Sequence, residues 1–187
     1  MSELGRRAVH VSGTAVPVLY LLDVLSWPTV KYLLAAASAV AVLLEAIRLT
    51  RGIDFWAYRR LTREYEDERV AGYALAIIGA TVAVWLFDPF VAVPALLMLT
   101  VADPVSGVLS RDGLGVKQGF VLLATFGVCL AIASILLVPF WPAVAGAGAA
   151  TAADGMKPRL AGYVLDDNLT IPIAAGVAIH VGLLLVG

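Results

Sequence analysis

Seven apolar stretches follow one another along this chain, and the charged residues gather at the joints between them. The stretches cover residues 9–25, 30–49, 70–87, 90–102, 120–138, 143–153 and 169–186. A soluble core built from 187 residues cannot enclose that much apolar surface: 61% are hydrophobic and 14% charged, against about a quarter charged in a soluble domain. The pattern predicts an all-α, polytopic membrane protein with about seven transmembrane helices in a single domain over residues 1–187. No stretch alternates as a strand would, and no internal repeat is evident. The single cysteine, Cys129, lies inside an apolar run. That excludes an intramolecular disulfide and a cysteine-held metal cluster. Arg6 and Arg7 lead into a long apolar run without a small-residue cleavage site, so no cleavable signal peptide is expected.

Local composition refines this layout. The run 90–102 spans only about 20 Å as a helix, short of the ~30 Å hydrocarbon core. Either the helix continues past Asp103 or the bilayer thins there. Both options put Asp103 at or inside the apolar boundary, which is costly unless the carboxylate is paired or hydrated. The run 143–153 is built from alanine and glycine, and Gly146 and Ala150 give a small-xxx-small spacing suited to close helix contact. Residues 53–69 mix Phe55, Trp56, Tyr58 and Tyr65 with Arg59, Arg60, Arg63 and acidic neighbours. This predicts an amphipathic helix lying at the headgroup level. Ahead of the last run, Asn168 or Thr170 is the expected cap, with Pro172 in the first turn.

The basic residues fix an expected orientation. With seven spans and a cytoplasmic N-terminus, every lysine and arginine except Lys31 falls on the inner side, as the positive-inside rule requires. Asp103, Arg111, Lys117, Asp154, Asp166, Asp167, His10, Glu45 and Arg48 then share that side, while His180 lies toward the other.

Two polar clusters stand out there. From Asp103 to Lys117, Gly107, Gly113 and Gly115 let backbone N–H groups approach an anion. Arg111 and Lys117 add positive charge, and Asp103 can hold a divalent cation. The order of a Walker loop is missing. Asp166-Asp167-Asn168 supplies two carboxylates and an amide, hard oxygen donors of the kind Mg²⁺ takes together with phosphate oxygens. Two smaller pairs share helix faces: Glu45 with Arg48, and Arg6 with His10. An ion pair at a helix end explains the first at least as well as a catalytic role.

These residues resemble the motifs of a known family. Asp166-Asp167-Asn168-Leu169-Thr170-Ile171-Pro172 matches the DDNLTIP signature of the CTP-dependent lipid kinases. That family comprises dolichol kinases, phytol kinases and yeast-type diacylglycerol kinases, and is related to the phosphatidate cytidylyltransferases. Ala102-Asp103-Pro104 with Gly107, Arg111, Gly115 and Lys117 is similar to its ADP…GR…GK loop. Arg6-Arg7-x-x-His10 is similar to its RKxxH, and Glu45-x-x-Arg48 to its ExxR. Three departures are visible. Ser110 precedes Arg111 where the family reads glycine, Gln118-Gly119 follows Lys117, and Asp154 stands where a glutamate is common.

The resemblance implies a CTP-dependent kinase that phosphorylates a membrane isoprenoid alcohol of the polyprenol, dolichol, geranylgeraniol or phytol type. The site would face the cytoplasm of a prokaryotic cell membrane. Asp103, Asp166, Asp167 and His10 would be catalytic, and Asp103, Asp166 and Asp167 would hold a divalent cation such as Mg²⁺. Arg111, Lys117, Gly107, Gly115, Asn168, Arg7, Glu45 and Arg48 would bind CTP. The implied partners are lipid, alcohol and CTP, without nucleic acid, and a homo-oligomer is compatible. A CTP:lipid-phosphate cytidylyltransferase is the first alternative, although the longer signature of the phosphatidate enzymes is absent. A small membrane transporter is the second.

Overall fold

The computed structural model of the protein describes residues 11–51, 69–110, 117–156, 159–160, 163–164 and 166–187. The expected interfacial helix over 53–69 lies outside them apart from Arg69. The described chain is helical throughout, save one two-residue antiparallel pair in which Arg159 faces Val164 and Leu160 faces Tyr163. The helices are α1 (Ala15–Leu21), α2 (Trp27–Arg51), α3 (Gly72–Leu86), α4 (Pro89–Leu97), α5 (Asp103–Leu109), α6 (Gly119–Ile135), α7 (Phe140–Gly155) and α8 (Asp167–Val186).

Among the described residues, three helical rods are long and apolar enough to cross a membrane: Trp27–Thr50, Pro89–Leu109 and Asp167–Val186. The second joins α4 to α5 through a π-helical turn, Met98–Ala102. The helix therefore runs on past Asp103, and its 21 residues span about 32 Å at the α-helical rise. Pro94 and Pro104 both lie in this rod. Each removes a backbone donor, and the wide turn between them adds a residue to the repeat. Such a turn rotates everything beyond it by about 100°, so it helps decide where Asp103 points.

Outer faces carry large apolar side chains, and inner faces mix large ones such as Met98, Leu99 and Ile179 with many alanines. Leu33, Val40, Leu43, Trp85, Leu123, Leu137, Leu184 and Leu185 are exposed, whereas Ala74, Ala83, Ala92, Ala95, Ala133, Ala147, Ala150 and Ala175 are buried. That distribution suits helices solvated by lipid, which associate by close backbone approach rather than by expelling water. The α7/α8 pair shows it directly. A Cβ at Gly146 would sit 2.4 Å from Ile179 Cγ1, and one at Gly182 would sit 2.8 Å from Pro142 Cα. The small-xxx-small spacing read from the sequence thus meets the last helix, which runs antiparallel to α7.

Helix α3 runs parallel to α8, with Gly79 against Asn168 and Leu169 and with Phe87 against Gly176. Gly79 is seven residues into α3, so the start of α8 is sunk about 10 Å below the start of α3. A Cβ at Gly79 would lie 2.9 Å from the Asn168 carbonyl oxygen and 3.1 Å from Leu169 Cα. Backbone atoms cannot swing aside as a side chain can. Gly79→Ala is therefore expected to cost about 1–3 kcal/mol through overpacking and to push the head of α8 out of place. A thermal melt in detergent checks the first effect, and divalent-cation binding checks the second.

The cap of α8 differs from the sequence expectation. Asp166 is the N-cap, its side chain accepting from the Asn168 backbone N–H at 3.0 Å. The helix starts at Asp167, which leaves Pro172 in the second turn rather than the first.

Candidate functional site

The last turn of α7, the head of α8 and the first residue of α5 each bring one carboxylate to the same place. Oxygens of Asp154, Asp167 and Asp103 all lie within 4.8 Å of one another. Asp154 is 1% exposed and Asp167 6%, so water does little to screen them. Like charges this close repel unless a proton or a cation joins them. Part of the compensation is Lys117, the second residue before α6. Its Nζ donates to Asp154 Oδ1 and, at 2.8 Å, to Ser106 Oγ. Ser106 Oγ in turn donates to Asp154 Oδ2 at 2.6 Å.

Ser106 is fully enclosed. It lies three residues after Asp103, hence on the same face of α5. One helix face thus supplies both a carboxylate of the group and the hydroxyl that orients another. The site is recessed in two respects. Asp103 stands six residues, about 9 Å, before the end of α5, and the head of α8 is sunk beside the middle of α3.

The donor set can be tested for a metal. Three carboxylates supply hard oxygen ligands, the type Mg²⁺ takes. A fourth oxygen lies close in the chain. Asn168, 3% exposed, has a buried Oδ1 with no hydrogen-bond partner among the described residues. Its Nδ2 donates to Asp166 Oδ1 at 2.6 Å. A buried acceptor left open in this way costs free energy unless something donates to it or coordinates it. These residues fit a divalent cation.

Other residues singled out from the sequence fall as follows. Asp103, Asp167 and Lys117 are brought together, and Asn168 is adjacent. Asp166 holds the head of α8 and stands outside the three-carboxylate group, in which Asp154 takes part instead. Asp166→Ala is accordingly expected to cost about 1 kcal/mol of helix-cap stability and, because Asp166 Oδ1 also orients the Asn168 amide, to weaken divalent-cation binding by about tenfold, less than loss of a carboxylate of the group. Melting and Mn²⁺ titration in detergent read the two separately. Gly107 lies in α5, one turn past Asp103. Arg7, His10, Arg111 and Gly115 lie outside the described residues. His180 packs against Phe87, with ring centroids 6.0 Å apart, toward the opposite end of the bundle.

Glu45 and Arg48 form a separate node. Glu45, 3% exposed, accepts from Arg48 Nε at 3.2 Å and Nη2 at 2.7 Å. It also accepts from the Ala71 backbone N–H at 2.9 Å and from the Tyr73 hydroxyl at 2.8 Å. Arg48 Nη2 additionally donates to the Arg69 carbonyl. The node fastens the end of α2 to the entry of α3.

A cleft of about 370 Å³ lies toward the other end of the 89–109 rod, lined by Tyr20, Leu21, Asp88, Pro89, Phe90, Val93, Pro94 and Leu136. Asp88, the one carboxylate among its described lining residues, is used in capping the Val91 N–H. Among those residues the cleft offers mainly apolar contact.

Sequence reasoning missed Ser106 and Tyr73, and left Asp154 out of the metal set. A signal for Asp154 was present: an aspartate ending an Ala/Gly helix expected to be buried must have a partner. Comparison of the chain with protein-family models, curated proteins and solved structures finds no match.

Proposed function

We propose that the chain is a multi-pass membrane enzyme, with a cytoplasmic N-terminus, that transfers the γ-phosphate of CTP to the hydroxyl of a membrane isoprenoid alcohol. The observation that carries this reading is the convergence of Asp103, Asp154 and Asp167 with Lys117 from separate helices at one recessed place. Three of these four stand in segments that resemble motifs of the CTP-dependent lipid kinases. Phosphoryl transfer asks mostly for positioning and charge neutralisation, and this cluster supplies carboxylates and an ammonium within a few ångströms.

The recess suits the substrates. An apolar alcohol stays in the bilayer with its hydroxyl near the boundary, while the nucleotide arrives from water. They meet below the helix ends rather than on a flat surface. In the proposed step the alcohol oxygen bonds to the γ-phosphorus and the bond to the bridging oxygen breaks. CDP leaves, and the hydroxyl proton passes to one of the aspartates. A bound divalent cation would supply charge neutralisation at the phosphates, held by Asp103, Asp154 and Asp167. The positive-inside bias supports seven spans with this end in the cytoplasm.

Purified protein in detergent, given CTP labelled separately at the α and γ positions and a panel of prenols and diacylglycerol, tests the reading. Label from the γ position is expected in the lipid. Label from the α position, with pyrophosphate released, would make the protein a nucleotidyltransferase. No transfer from either position to any prenol or to diacylglycerol would refute the enzyme reading.

A further inference from the structure

Both oxygens of Asp154 already accept a hydrogen bond. Oδ1 accepts from the Lys117 ammonium and Oδ2 from the Ser106 hydroxyl. Each oxygen keeps a second lone pair, so the bonds themselves do not bar a cation; the ammonium does, because its charge would stand beside the divalent cation on one carboxylate. The two donors are not equally able to withdraw. Ser106 is built into α5, its side chain is short, and it is fully enclosed. Lys117 precedes α6, and its side chain is 13% exposed. Its ammonium rides on a flexible four-carbon stem. It is also the donor that a divalent cation would repel most, since the two positive charges would share one carboxylate.

We infer that Lys117 is a built-in counter-cation of this site. Its ammonium neutralises the buried carboxylates until a divalent cation enters, and it is then turned out of Asp154 to where it can take an oxygen of a phosphate. The inference rests on reading the three aspartates as a cation site. It goes further by coupling the two binding events. Entry of the cation frees the lysine, so cation binding increases the affinity for a polyphosphate, and by linkage the reverse holds as well. Lys117 also donates to Ser106 Oγ, and that contact is lost in the exchange, but the serine's own donation to Oδ2 remains and keeps Asp154 oriented.

The test uses the whole protein in detergent at one fixed pH. Lys117 is modified with an amine-acylating reagent with and without Mg²⁺, and its modification is read by mass spectrometry. Mn²⁺ binding is titrated in parallel. Modification of Lys117 is expected to rise several-fold with Mg²⁺. In Asp154→Asn it is expected to be high from the start and indifferent to Mg²⁺. Lys117→Gln is expected to bind Mn²⁺ at least about tenfold more tightly than the native chain, because a positive charge has left the site. Lys117→Arg should stay within about threefold of the native affinity.

Mn²⁺ binding with unchanged or reduced Lys117 modification would overturn the inference and make the lysine a permanent member of the site. Absence of Mn²⁺ binding from both the native chain and Lys117→Gln would instead remove the cation site itself. Should Lys117→Gln fail to fold, the modification experiment on the native chain still decides.

Discussion

Asp167→Asn is expected to lower the proposed CTP-dependent phosphorylation of a prenol at least about a hundredfold, the scale on which a positioned acid–base group contributes. The protein should remain folded, and its melting temperature in detergent should hold or rise. Asp167 shares its surroundings with Asp103 and Asp154, and Lys117 is the cation seen against the group among the described residues. Neutralising one of three crowded carboxylates relieves repulsion, so stability does not fall with activity. Asp103→Asn should behave alike. An active, folded Asp167→Asn would mean that the carboxylate serves packing rather than chemistry. A misfolded one would mean that its charge is needed to hold the helices together. Initial rates, melting curves and Mn²⁺ titration on the same preparation separate these outcomes.

The second large effect lies away from that site. Glu45→Ala is expected to destabilise the protein by about 3–5 kcal/mol, the usual result of removing one partner from a buried ion pair. The loss leaves the Arg48 guanidinium without its carboxylate and deprives the Ala71 N–H and the Tyr73 hydroxyl of an acceptor. The specific activity of whatever fraction folds should change far less than the melting temperature. Tyr73→Phe, which removes a single hydroxyl, should cost only about 1 kcal/mol. A Glu45→Ala protein with native stability but no CTP binding would instead move Glu45 into the nucleotide site.

Much of the helical layout was legible because long apolar runs bounded by polar joints favour helices over any other element. Runs around 30–49, 70–87 and 169–186 each became a helix at nearly those bounds. The course of the chain at Asp103 was not legible. Pro104 and a polar stretch read equally well as a helix end or a helix interior. What carries the helix onward is a π-helical turn, which leaves no mark in an apolar pattern.

The candidate site was legible in part for a related reason. Asp166 and Asp167 look equivalent in sequence, yet neighbours on a helix point about 100° apart. The cap takes Asp166, and the group of three takes Asp167. Asp154 and Ser106 complete the group through contacts spanning 48 positions of the chain. No local motif encodes that distance.

The most direct measurement of the central claim is bridging of thiols at positions 103 and 167, introduced as Asp103→Cys with Asp167→Cys in a Cys129→Ala background, by bifunctional thiol reagents of graded length. Each thiol stands one bond short of the native carboxylate oxygens, which lie within 4.8 Å of one another, so a short reagent rather than a direct disulfide is the fitting ruler. Ser38→Cys with Thr81→Cys is the reference pair, since those two hydroxyl oxygens lie 2.8 Å apart in the native chain. Rapid bridging of 103 and 167 by the shortest reagents is the predicted result. Bridging by the longest reagents alone, or by none, under conditions that fully bridge the reference pair would contradict the account, because the two side chains would then not share one place.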